Sequence, residues 1–283
     1  MNEMSKQDVL TINKDDVVLS PFPHCFKHPF VRPDLFSRLK EEFPKDEFFD
    51  RNTSLGGRAG RDLYPGDELY DELLGTSSAW KEFSDYIDSE KFVNLVLDMF
   101  GNHLEPHGCA AEEDKINYEK WVESREILAQ GSTRVSRVIG KIKNKVGISE
   151  KKDDTDPNKM FVRMDIAQGD IGYEKVAHCD RSNRLISMLI YFCNKEDIGM
   201  EGGTFRVHKH KEEKNIDDYE RHPKPADLDI VASFEPKENF GGIFIGCNNS
   251  YHSATAVTKS NGYRNFVYTS VASRSRSLWK SNQ

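Results

Sequence analysis

At 283 residues, with 37% apolar side chains and seventeen Phe, ten Tyr and three Trp, the chain has the bulk for one large core and is excluded from the disordered class. Its formal charge of -7 argues against broad nucleic-acid binding. There is no run of about 18 apolar residues to span a membrane, and residues 1–14 lack the apolar stretch of a secretory signal, so a cytoplasmic protein is expected.

In chain order, residues 17–31 read as strand and turns, around Val17-Val18-Leu19 and Ser20-Pro21-Phe22-Pro23. Pro33 and Asp34 then open a helix with Leu35, Phe36, Leu39 and Phe43 along one face, stopped by Pro44. Residues 51–66 are rich in Gly and Arg but lack the Gly-Lys-Ser/Thr ending of a phosphate-binding loop, and read as a surface loop able to cover a site. Trp80, Phe83 and Ile87 mark a second helix. A third is capped by Ser89, striped by Phe92, Leu95, Val96 and Met99, and predicted to end at Gly101.

Residues 105–157 are charged and weakly periodic, and read as an insertion with some helix. The basic residues Arg134, Arg137, Lys141, Lys143 and Lys145 within it read as a solvated helix face. After Pro157, runs of β-branched and aromatic residues at 161–166, 185–192, 204–207, 230–234, 242–245 and 264–271 alternate with Gly, Asn and Asp turns, the pattern of an all-β sandwich or barrel. The expected organisation is a helical or mixed part over 1–157 packed as one unit on a β core over 158–283. Cys25, Cys109, Cys179, Cys193 and Cys247 form no CxxC pair and read as reduced thiols.

The chemistry concentrates in His178-Cys179-Asp180. On an extended backbone, residues two apart share a face, so a His and a carboxylate stand side by side while Cys179 points away. His252, in the polar turn Asn248-Asn249-Ser250-Tyr251-His252, is the best third ligand. Two His and one carboxylate leave one face of an octahedral Fe(II) open, the arrangement of non-haem iron oxygenases. The open positions suit a chelating 2-oxo acid and O2. Arg264, twelve residues after His252, has the planar fork for the far carboxylate of such a dianion. Period-two counting puts Phe266, Tyr268 and Ser270 on its face.

Among other polar groups, His208 and His210 lie in a charged run through His222 and Pro225 that reads as an exposed loop. His107 and Cys109 lack a completing set, and His24 and His28 flank a Phe- and Pro-rich turn as packing residues. Arg163, Arg184 and Tyr268 are candidate substrate contacts, with structural ion pairing the equal alternative for the two arginines.

The order His178-x-Asp180, Leu189-Ile190-Tyr191-Phe192-Cys193-Asn194, Glu201-Gly202-Gly203-Thr204-Phe205, His252 and Arg264 resembles the Fe(II)/2-oxoglutarate-dependent dioxygenase superfamily, in particular its prolyl-4-hydroxylase-like branch. The likeness covers roughly residues 160–272, and Ser20-Pro21-Phe22-Pro23-His24 resembles the start of many bacterial members. The resemblance implies a mainly β fold with flanking helices around a double-stranded β-helix, or jelly roll. It implies Fe(II) at His178, Asp180 and His252, the 2-oxoglutarate C5 carboxylate at Arg264, and O2 as co-substrate. Because Asp180 is present, it implies hydroxylation over halogenation.

Two positions depart from the family. Phe266 stands where many members have Ser or Thr, and Phe192, with Tyr191 beside it, stands nearest a Tyr that bonds the same carboxylate in some relatives. Tyr191 and Phe192 are therefore the co-substrate candidates on that strand. The expected activity is hydroxylation of a small molecule (amino acid, sugar, nucleotide or natural-product intermediate) with release of succinate and CO2. A protein or peptide side chain is the alternative target, and a cupin-like metal protein that is not an oxygenase the third reading.

Overall fold

The computed structural model describes residues 8–49, 62–120, 156–275 and 277–280. Among these residues, ten strands form two sheets. They are β1 (His24–Lys27), β2 (Asn117–Tyr118), β3 (Lys159–Gly169), β4 (Lys175–His178), β5 (Arg184–Tyr191), β6 (Phe205–His210), β7 (Leu228–Phe234), β8 (Gly241–Ile245), β9 (His252–Ala254) and β10 (Arg264–Ser273). The larger sheet has the order β1-β8-β5-β10-β3-β2 and the smaller β4-β9-β6-β7. The two face each other: Phe205 on β6 lies 6.2 Å from Phe244 on β8 and 5.3 Å from Phe26 on β1, measured between ring centroids. This is the jelly-roll arrangement, a sandwich with its functional space between the inner faces.

Among the described residues the α-helices are α1 (Pro33–Glu41), α2 (Glu68–Thr76), α3 (Ser78–Ile87) and α4 (Glu90–Leu104). Aromatic rings join them to the outer face of the larger sheet. Phe192, just past β5, meets Phe36 of α1 at 4.9 Å, Phe43 at 5.2 Å and Trp80 of α3 at 5.5 Å. Each such ring stabilises by about 1.5–3 kcal/mol on burial, so this contact does much to dock the helices. One continuous core links helices and sheets.

Most predicted elements appear within a few residues of expectation, and the differences have local causes. Helix α2 was not anticipated; Asp67 caps it by accepting from the Leu69 N–H, and Tyr70 and Leu73 are its buried positions. Helix α4 runs through Gly101 to Leu104, because Gly101 serves packing: a Cβ there would fall 2.2 Å from the Glu113 carboxylate. The boundary at 157 does not follow the sheet, since β1 and β2 from the front half form its two edges. His208 and His210 are in β6 and buried, which corrects the exposed-loop reading of that stretch. Both lie on the face of β6 away from His252 and are covered there: His208 Nε2 is 2.7 Å from Ser253 Oγ, and His210 packs against Tyr219 of the following loop and Tyr251, despite the lysines between and after them. The basic residues of 134–145 and positions 51–61 of the Gly/Arg-rich segment lie outside the described residues.

Candidate metal centre

β4 and β9 run antiparallel, and His178 is the register partner of His252. Directly opposed residues have Cβ atoms about 5 Å apart, so the pairing alone brings two imidazoles together. Their ring centroids are 4.5 Å apart. The chain leaving β4 toward β5 returns Asp180 to the same spot: Oδ1 lies 4.0 Å from His178 Nε2, and Oδ2 lies 3.8 Å from His252 Nε2. The three ligating atoms fall within 4.8 Å of one another, and among the described residues no fourth His, Cys, Asp or Glu joins them.

Each imidazole is held by its other nitrogen. His178 Nδ1 is 2.8 Å from the Val176 carbonyl and His252 Nδ1 is 2.9 Å from the Ser250 carbonyl. A carbonyl can only accept, so both Nδ1 atoms carry the proton and both Nε2 lone pairs face the carboxylate. Burial, followed by the neighbouring His252, depresses His178 to about 4, which keeps it neutral and ready to ligate at neutral pH. His252 is seated between Phe244 at 4.7 Å and Phe205 at 5.7 Å. Cys179 points away: its Sγ donates to the Asn248 carbonyl at 2.9 Å, and it packs with Leu228 and Tyr251.

Asp180 is buried, which by itself would raise its pKa, but Arg184 and then the two histidines hold it well below the usual carboxylate range. Arg184 Nη1 donates to Oδ1 at 2.7 Å, Ser187 Oγ to Oδ2 at 2.5 Å and Tyr268 OH to Oδ2 at 3.1 Å. Arg184 also donates to Tyr268 OH at 2.6 Å. Of the three candidate substrate contacts, Arg184 and Tyr268 thus lie against the triad itself. Arg163 pairs with Asp165 at 2.7 Å and lies on the Tyr64 ring.

Arg264 is 1% exposed, deep between the sheets. Nη2 donates to Tyr191 OH at 2.6 Å and Nε to the Gly203 carbonyl at 3.3 Å, while Nη1 is buried with no partner. The rings of Tyr173, Tyr191 and Phe266 surround the guanidinium at 4.9, 4.7 and 4.9 Å. Phe266 thus contributes a cation–π face where the family resemblance led to a hydroxyl. Gly202 and Gly203 have positive φ (84° and 72°), and a Cβ on Gly202 would sit 1.8 Å from the Ala256 carbonyl oxygen, so this turn demands glycine.

Phe192 is not in this space. On a pleated strand Tyr191 faces inward, so Phe192 faces the helices, where the aromatic contacts described above hold it. Of the two co-substrate candidates on that strand, the structure brings only Tyr191 to Arg264. Ser187 and Tyr173 were missed. Ser187 was detectable as the one hydroxyl side chain within the apolar run from Leu185 to Ile190. Tyr173, in the turn between β3 and β4, had no sequence signal.

The donor set fits a divalent ion that prefers imidazole and carboxylate, and its open side fits Fe(II). Arg264, desolvated with one donor unspent, fits a carboxylate, since a buried unsatisfied N–H costs about 1–3 kcal/mol until an acceptor arrives.

No family model matches the chain, and no curated protein matches it. Solved structures similar to it include a prolyl-4-hydroxylase of Pseudomonas putida, at 12% identity and TM-score 0.39 over 89% of this chain and 92% of that one. Another is a 2OG-Fe(II) oxygenase family oxidoreductase from Burkholderia pseudomallei, at 14% identity and TM-score 0.28 over 50% and 62%. A third is a Trichoplax adhaerens prolyl hydroxylase in complex with a hypoxia inducible factor oxygen degradation domain peptide fragment, at 11% identity and TM-score 0.40 over 88% and 83%. At such low identity and superposition, the geometry of the site carries the functional reading.

Proposed function

We propose that this chain is an iron(II)- and 2-oxoglutarate-dependent oxygenase that hydroxylates its substrate. The observation that carries this reading is the pairing of the buried His178, Asp180 and His252 group with a buried arginine whose Nη1 has no partner. His178 Nε2, His252 Nε2 and one oxygen of Asp180 would hold the iron. When bound, iron, O2 and 2-oxoglutarate supply the oxidising power to hydroxylate an unactivated C–H bond, releasing succinate and CO2.

The chain's own residues bind and orient. Arg264 and Tyr191 receive the C5 carboxylate, with Arg264 Nη1 as the free donor. Phe266 and Tyr173 keep that end dry, which strengthens each charge-assisted bond. Arg184, Ser187 and Tyr268 fix the Asp180 carboxylate, so it need not reorganise when the ion arrives.

A small molecule is the proposed substrate. A peptide side chain is the alternative, as for the hydroxylase solved with a peptide fragment. A cupin-like centre is disfavoured by the absence of a fourth ligand among the described residues.

Anaerobic addition of Fe(II) and 2-oxoglutarate to the purified chain should give a weak visible metal-to-ligand band. Pools of amino acids, nucleotides, sugars and peptides should then reveal substrate-stimulated succinate release. Absence of the band, with no succinate from any pool, refutes the reading.

A further inference from the structure

Three arginines near the triad retain unspent donors. Arg184 uses Nη1 on Asp180 and Tyr268. Arg163 uses Nε on Asp165 Oδ1 at 2.7 Å and rests its guanidinium 4.9 Å from the Tyr64 ring centroid. Arg221 uses Nε on the Cys179 carbonyl at 3.1 Å, and its own carbonyl accepts from the Cys179 N–H at 3.0 Å. Among the described residues, the other N–H groups of these three guanidiniums have no protein partner.

The three surround one region. Asp165, which Arg163 holds, is the cross-strand partner of Tyr268, and Tyr268 accepts from Arg184. Arg221 is fastened to Cys179, between the ligands His178 and Asp180, and the His222 ring next to it stacks 6.2 Å from that of His178. Arg264 is elsewhere: it opposes Gly169 on β3 whereas Ser270 opposes Arg163, six residues or about 20 Å along the strand. The triad lies between, tied to Tyr268. Like charge is dense here. Arg181 is pulled below the ordinary arginine range by partial desolvation and then by the guanidiniums of Arg184, Arg221 and Arg163. Asp165 and Asp180 are the carboxylates that the three arginines contact, and a metal would claim the charge of Asp180. On a chain of net charge -7, this is a local reversal of sign beside the triad, of the kind that attracts an anion.

We infer that the substrate is an anion whose carboxylate or phosphate is held by the free forks of Arg163 and Arg221, with Arg184 between that group and Asp180. The inference rests on the oxygenase reading and narrows its substrate class. Planar forks suit a two-oxygen acceptor, and two of them fix the distance from the anionic group to the reacting C–H.

The test has two arms. In the first, the metal-free full chain is titrated with inorganic phosphate and followed by phosphorus NMR line width. Binding is expected to weaken about tenfold or more in Arg163→Gln and in Arg221→Gln, and to persist in Arg264→Met. Arg221 is exposed, so its variant reads out even if Arg163→Gln folds poorly. Absence of phosphate binding, or binding lost only in Arg264→Met, overturns the inference. In the second arm, the iron-loaded protein is offered matched pairs, a carboxylic acid with its amide and a phosphate monoester with its alcohol. The anionic member should drive succinate release, with the two Gln variants raising KM more than they lower kcat; which pair responds identifies the anion. Preference for the neutral members overturns the inference while leaving the oxygenase reading intact. Phosphate binding without any iron–2-oxoglutarate band sinks the oxygenase reading and leaves the anion site standing.

Discussion

Arg264→Met should separate stability from co-substrate binding. In the ligand-free chain the guanidinium is 1% exposed, satisfied at Tyr191 and at Gly203, and unsatisfied at Nη1. Methionine removes a charge-assisted bond to Tyr191 worth about 1.5–3 kcal/mol, but also an orphan donor that costs about 1–3 kcal/mol. The two nearly cancel, as is common when a buried ion is replaced by a packed apolar group. Urea denaturation of the metal-free variant should therefore fall within about 2 kcal/mol of wild type. Affinity for 2-oxoglutarate loses the charge-assisted bond from Nη1, about 1.5–3 kcal/mol, or roughly 10- to 150-fold. Anaerobic titration of the visible band against 2-oxoglutarate at fixed Fe(II) measures this directly. Two-oxoglutarate at a hundred times its Kd should also raise wild-type stability by about 2.7 kcal/mol and leave the variant unchanged. Wild-type affinity in the variant, or a loss of more than about 4 kcal/mol of ligand-free stability, would refute the assignment and make Arg264 a structural residue.

Phe192→Ala should cost about 3–5 kcal/mol of stability with 2-oxoglutarate affinity intact, while Tyr191→Phe should weaken 2-oxoglutarate about tenfold with little change in the denaturation midpoint; the reverse pattern would invert the faces of β5. Ser187→Ala and Tyr268→Phe should each lower Fe(II) affinity by about 10- to 100-fold, measured as iron retained after dialysis, whereas Cys179→Ser should retain its iron. Both His178 and His208 are held near 4 in the folded chain, by burial first, against 6.5 ordinarily. The unfolded chain therefore binds more protons below 6.5, so stability is complete above that pH and is lost as pH falls toward 4, by at most roughly 3 kcal/mol per histidine. Urea midpoints of the metal-free chain at pH 7 and pH 4.5 test this, and His208→Gln should show the shallower loss; an unchanged pH slope counts against the buried placement of His208.

Much of the candidate site was legible because its signals are local. His178 and Asp180 share a face by strand periodicity alone, and the same counting put Phe266 and Tyr268 beside Arg264. The polar turn singled out His252, although the sequence did not show that the first residue of a three-residue strand would pair with His178. The helices with strong caps and stripes were readable for the same reason. Local pattern was weakest where neighbours distant in sequence decide the outcome. Gly101 resembles a helix end until Glu113 packs on it, and His208 and His210 look solvent-exposed among lysines until Ser253, Tyr219 and Tyr251 cover them.

The sequence by itself thus determined which side chains could ligate, which could anchor a dianion and on which strand face each lies, because strand alternation and ligand chemistry act over a few residues. Only the tertiary structure decided that Tyr191 rather than Phe192 meets Arg264, that Arg184 fastens to Asp180, and that Arg221 bonds the carbonyl of Cys179. Those outcomes depend on which sheet face the helices cover and on pairings between residues up to about a hundred positions apart, and no local periodicity encodes them.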